Sequence, residues 1–180
     1  MSIMSGDKIY KIGTSLACAD QLNMGSEIGK LIEIVIEFLH IDIMDGHYVN
    51  NFCFGTKIFF YLEEFKNIEA KTHLMVEDPY LKLDMFNGKH INKLSFHIEA
   101  YKNLIHTLKK IHNMWIEAVT ILNATTSHNT LDYLYPHIDY IAVMAVETGD
   151  TAKDFINPTV DKVTAISNEI KKEKLPCIFI

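Results

Sequence analysis

The feature that most constrains this chain is an alternation. Short runs rich in β-branched and aromatic residues recur at 9–16, 38–44, 70–75, 93–98, 116–122, 140–146 and 177–180, and segments of helical character separate them. Residues 26–36 and 103–111 carry apolar side chains at three-to-four spacing, as a half-buried helix requires. Asp78-Pro79 and Asn157-Pro158 each read as an N-cap followed by proline at the first helical position. The second pair predicts a helix over 159–170, with KKEK as its solvated end. Strands that alternate with helices build a parallel sheet through βαβ crossovers.

Two architectures can hold such a sheet. A doubly wound sheet carries a glycine-rich phosphate turn after its first strand. Here that strand ends GTSLACAD, which has no such turn. A β/α barrel instead gathers functional residues at the C-terminal ends of several strands, and the polar residues described below obey that rule. A full eight-unit barrel needs about 200 residues, and this chain has 180. The expectation is therefore an α/β fold of the (β/α)8 TIM-barrel type, incomplete, with six units and the start of a seventh strand. No linker-like segment divides it, so residues 1–180 read as a single domain that lacks the C-terminal part of the barrel.

Composition narrows the partners. With 48% hydrophobic and 22% charged residues, the chain can form a real core. A net charge of −6 without a basic run argues against nucleic acid and anionic membranes. All 17 cationic residues are lysine, so a phosphate would be held by backbone N–H groups, hydroxyls or lysine, not by a guanidinium fork. Cys18, Cys53 and Cys177 form no metal or disulfide framework, which predicts a reducing, cytoplasmic setting. The charged N-terminus is unlike a signal peptide. The apolar run 32–43 is broken by Glu33, Glu37, His40 and Asp42, too polar to cross a bilayer.

The densest chemical signal is HIDIMDGHYV at 40–49. Alternate residues of a strand share a face, so His40, Asp42 and Met44 point one way and Ile41 and Ile43 the other. A buried strand of a parallel barrel should be apolar on both faces, and a buried His beside a buried Asp is costly unless paired or bound. Asp45-Gly46 is a turn signal, which places the pair near the strand's end. Similar endings follow. His73 and Met75 share a face in THLMVEDP, His97 and Glu99 in SFHIEA, and Asn123, Met144 and Ser15 close three further strands.

Two readings of the histidines stand at this point. A strand-end His is ordinarily a satisfied structural residue, whereas His40, Asp42 and His73 converging on one rim form a ligand set for Zn²⁺, Mn²⁺ or Fe²⁺. Met44, Met75 and Met144 read as core filler beside that rim. His47, His90, His106, His112, His128 and His137 read as surface residues, and Glu147 and Asp150 as solvated loop charges.

These same residues resemble the ribulose-phosphate 3-epimerase family. The resemblance runs through GTSLACAD, HIDIMDGHYV with NFCFG, HLMVEDP, HIEA, ILNATT and VMAVETG, in order along essentially the whole chain. It implies a (β/α)8 barrel that inverts carbon 3 of a ketose phosphate, converting D-ribulose 5-phosphate to D-xylulose 5-phosphate through an enediolate in pentose phosphate metabolism. It implies one divalent metal, zinc first, with manganese, iron and cobalt as alternatives. By motif position His40, Asp42 and His73 would hold that metal, and Asp42 would be the catalytic acid/base. Ser15 and His73 would contact the sugar, Met44, Met75 and Met144 would cover the intermediate, and Gly149 would border the phosphate. The resemblance also suggests a homo-oligomer.

Three departures qualify the resemblance. The loop after the sixth strand normally reads Asn-Pro-Gly-Phe-Gly-Gly-Gln before a Phe. Here only Gly149 and Phe155 remain, with Glu147 and Asp150 added and Lys153 as a partial offset. The proline usual before Ser15 is Thr14. The family's second catalytic Asp, also its fourth metal ligand, would lie just beyond Ile180. Two alternatives follow: an epimerase of another ketose phosphate such as allulose 6-phosphate, or a non-catalytic truncated relative.

Overall fold

The structure is a computed structural model that describes residues 3–5, 8–34, 36–149, 154–173 and 177–179. A small antiparallel pair, β1 (Ile3–Ser5) and β2 (Lys8–Tyr10), precedes the main sheet. That sheet contains β3 (Gly13–Ser15), β4 (Phe38–Met44), β5 (Glu69–Met75), β6 (Lys93–His97), β7 (Glu117–Leu122), β8 (Tyr140–Val143) and β9 (Cys177–Phe179). All neighbours are parallel, and their spatial order is their chain order. A doubly wound sheet reverses its strand order at a switch point; this one never does. It curls as a partial (β/α)8 barrel, as expected.

The crossovers are α1 (Met24–Glu33), α2 (Ile58–Leu62), α3 (Pro79–Lys82), α4 (Leu104–Asn113) and, before β9, α5 (Thr159–Glu173). Between β7 and β8 two 3₁₀ turns, His128–Leu131 and Tyr135–His137, replace a helix. The outward faces of the strands meet these segments. Leu39, Ile41, Leu74, Leu94, Phe96 and Ile141 pack with Ile28, Phe59, Leu62, Phe86, Leu108 and Ile166, each 2% exposed or less. Each such side chain contributes about 1.5–3 kcal/mol on burial. No helix among the described residues is long and apolar enough to cross a membrane.

Several boundaries differ from the sequence reading. The run 9–16 is not one strand: Lys8–Tyr10 joins the antiparallel pair, and the barrel strand starts at Gly13. The run 140–146 ends as a strand at Val143, because Ala145 turns to accept a 2.8 Å hydrogen bond from Ile156 N. Pro79 does open α3, yet Asp78 makes no side-chain cap and adopts a left-handed φ of 49°.

The largest difference lies inside the barrel. The inward positions in its N-terminal half are charged, not apolar. Lys93 lies between Glu69, at 3.0 Å, and Glu117, while Lys11 also reaches Glu69 at 3.0 Å. Tyr140 donates to Glu117 at 3.1 Å. Lys71 sits 3.4 Å over the Phe38 ring, and burial pulls its pKa down to about 8. A buried charge persists only when paired, and the parallel register supplies a partner by setting Lys93 beside Glu117; it also sets Lys71 beside Lys93, whose like charge adds to the lowering of Lys71.

Candidate active site

The same register builds the rim chemistry. Asp42 on β4 lies directly beside His73 on β5, and His40 precedes Asp42 on the same face. Asp42 Oδ1 is 3.1 Å from His40 Nε2 and 3.3 Å from His73 Nδ1. Its other oxygen, Oδ2, accepts a 2.6 Å hydrogen bond from Ser15 Oγ on β3. Ser15 in turn accepts from Ala17 N at 3.2 Å, which fixes its hydroxyl at the start of a 3₁₀ turn.

Electrostatics set the protonation states. Burial raises the Asp42 carboxyl, but its polar contacts with His40 and His73 outweigh this and hold it well below the usual carboxylate range. Burial lowers His73 against the opposing pull of Asp42. An ionised carboxylate beside a neutral imidazole satisfies both. His40, Asp42 and His73 each offer one ligand atom, and the three atoms lie within 4.8 Å of one another. Ligand atoms held at about 2.0–2.2 Å around one tetrahedral ion stand about 3.3–3.5 Å apart. The 3.3 Å separation meets that spacing and the 3.1 Å one falls slightly inside it, and two imidazoles with a carboxylate suit a borderline divalent ion.

The eight residues to which the resemblance assigns site roles line one cavity of about 390 Å³: Ser15, His40, Asp42, Met44, His73, Met75, Met144 and Gly149. Met44 and Met75 are register partners, and they form part of its apolar wall. Gly149 sits at the mouth with φ +85°, where an added Cβ would stand 2.6 Å from Val49 Cβ. Its carbonyl accepts a 3.4 Å hydrogen bond from Asn51 Nδ2.

The rim loops are tied together. Asp45 Oδ1 accepts from His47 N at 3.0 Å and Tyr48 N at 3.1 Å; Oδ2 accepts from Glu77 N at 3.0 Å and Lys82 Nζ at 2.6 Å. Asn123 donates to Tyr48 Oη at 3.0 Å and accepts from Thr148 Oγ1 at 2.5 Å. Glu99 accepts from Asn123 N at 2.9 Å and from Thr126 Oγ1.

Other residues fall into place around this site. Glu147 is exposed, while Asp150 and Lys153 lie outside the described residues. His47 and His106 are exposed; His90, His112, His128 and His137 are half-buried, with His112 2.8 Å from Asp139. The sequence reading did not anticipate Lys71 and Lys93 in the cavity wall, nor His97 against His73. Period-two polar residues at 69–73 and 93–97 were the available signal, but only the register reveals which of them meet.

A parallel β/α barrel with a His–Asp–His group at its strand ends is the class of protein defined by this fold and site. The sequence model of the ribulose-phosphate 3-epimerase family matches residues 11–180. Named ribulose-phosphate 3-epimerases are also similar to the chain. That of Methanocaldococcus jannaschii is 30% identical over 162 residues, covering 90% of this chain and 68% of its own. The Chlamydia pneumoniae protein is 29% identical, covering 89% and 70%, and the Bacillus subtilis protein 28% identical, covering 93% and 78%. The chain belongs to the ribulose-phosphate 3-epimerase family, a family of isomerases.

Proposed function

We propose that this protein is a metal-dependent epimerase that converts D-ribulose 5-phosphate to D-xylulose 5-phosphate, with Asp42 as the base. The observation that carries this reading is the disposition of the Asp42 carboxylate: one oxygen toward His40 and His73, the other toward Ser15. Family membership supplies the substrate class. His40, Asp42 and His73 would hold the divalent ion, zinc first, and a bound ion supplies charge stabilisation for an oxygen that becomes anionic.

This chain's residues do the rest. Asp42 is ionised, so it can take the proton from carbon 3. The C–H electron pair moves into a carbon 2–carbon 3 double bond, and the carbonyl electrons move onto oxygen, giving an enediolate. Met44, Met75 and Met144 exclude water from the planar intermediate. Ser15 orients the carboxylate, and Gly149 borders the phosphate end. A second acid, which the family resemblance assigns to an Asp beyond Ile180, would return a proton to the opposite face of carbon 3 and complete the inversion. Free thiols at Cys18 and Cys53 suit a reducing cytoplasm.

The test is proton NMR of D-ribulose 5-phosphate in D₂O with zinc-loaded protein. Xylulose 5-phosphate should appear with deuterium at carbon 3. Dialysis against a chelator should abolish turnover and zinc should restore it. Asp42→Asn should slow turnover about 10²–10⁴-fold, the usual worth of a positioned acid/base. Absence of exchange at carbon 3 with zinc-loaded protein refutes the proposal; exchange without inversion refutes the epimerase step.

A further inference from the structure

We infer that His97 is a positioning residue that sets the tautomer of His73, presenting the His73 Nδ1 lone pair to a metal ion held with His40 and Asp42. The inference rests on the metal reading above. His97 ends β6 and is fully buried. Its Nε2 is 2.9 Å from His73 Nε2. The two rings have centroids 5.0 Å apart and planes within 28°, so they meet nearly edge to edge along that nitrogen–nitrogen axis. Tyr48 covers His97 from another side, its ring centroid 4.9 Å away.

The bond has a direction. A neutral imidazole carries one hydrogen and one lone pair. If His73 Nδ1, the atom facing Asp42, is to bind a cation, its hydrogen must sit on Nε2 and needs an acceptor. His97 Nε2 is that acceptor, which places the His97 hydrogen on Nδ1. That buried atom has Glu99 Oε2 3.8 Å away, a carboxylate that favours a hydrogen there. A neutral His97 in this orientation turns its Nε2 lone pair toward His73. Metal-binding histidines typically donate their second N–H to a fixed acceptor, and losing that acceptor weakens metal binding about 10–100-fold. Here the acceptor is a second imidazole.

Zinc affinity by competition with a chromogenic chelator tests the role. His97→Phe keeps a ring against Tyr48 and His73 but removes the acceptor, and should weaken zinc binding about 10–100-fold. His97→Gln restores an acceptor oxygen and should recover much of the loss. Long-range ¹H–¹⁵N NMR of zinc-loaded wild-type protein should show the His73 hydrogen on Nε2. This measurement stands even if His97→Phe fails to fold. Unchanged zinc affinity in folded His97→Phe, or a His73 hydrogen on Nδ1, overturns the inference and leaves the metal reading intact. Failure of the wild-type protein to bind zinc overturns both.

Discussion

Ser15 Oγ donates to Asp42 Oδ2 across 2.6 Å and so joins the C-terminal ends of β3 and β4. The bond turns the carboxylate so that its other oxygen faces the two histidines. Ser15→Ala removes a hydrogen bond to a charged group, worth about 1.5–3 kcal/mol. If the bond matters in the transition state, kcat for epimerisation should fall about 10–100-fold. Zinc content by elemental analysis should stay unchanged, because His40 and His73 still face Oδ1.

Asp45 is the knot of the rim, with four donors on its two oxygens. Burial raises its carboxyl, but the Lys82 bond and the backbone N–H groups outweigh this and hold it well below the usual carboxylate range. A group with a depressed folded pKa stabilises the fold above its unfolded pKa, near 3.9, and loses that contribution as pH falls through the folded value. Wild-type protein should therefore exceed Asp45→Asn in unfolding free energy by about 1–3 kcal/mol at pH 7. In urea melts the gap should hold down to about pH 4 and shrink progressively below it.

Gly149 pairs a left-handed φ of +85° with a close approach to Val49. Gly149→Ala should cost about 1–3 kcal/mol in thermal or urea unfolding and raise KM for the ketose phosphate. Adding Val49→Ala removes the two γ-methyl contacts but leaves the 2.6 Å approach to Cβ and the backbone strain, so the double variant should recover only a small part of the loss.

Lys93 neutralises Glu69 and Glu117 inside the barrel. Lys93→Met leaves both carboxylates without that partner. The expected loss is about 2–3 kcal/mol, below the cost for a fully buried pair because Glu117 is half-exposed. Adding Glu69→Gln should restore part of it, as urea melts would show.

The strand-end residues were legible because local rules govern them. Period-two geometry put His40, Asp42 and Met44 on one face, and Asp45-Gly46 placed that face at a strand end. The motif order from GTSLACAD to VMAVETG pointed to the family that the comparisons then established. The boundaries at 9–16 and 140–146 were less legible, because a strand ends where its partner or a turn ends it, as Ile156 does at Ala145. The charged interior was not legible, since a lysine in a strand carries no local sign of the carboxylate it meets across the sheet.

By itself, then, the sequence determined the parallel β/α order and the polar rim, both consequences of short-range periodicity, while Gly149 was pointed to only by the family resemblance. Only the tertiary structure decided that Asp42 stands beside His73, that His73 leans on His97, and that Lys93 is flanked by Glu69 and Glu117. These contacts join residues 24 or more positions apart, and the register between parallel strands is set by how the whole sheet packs against its helices.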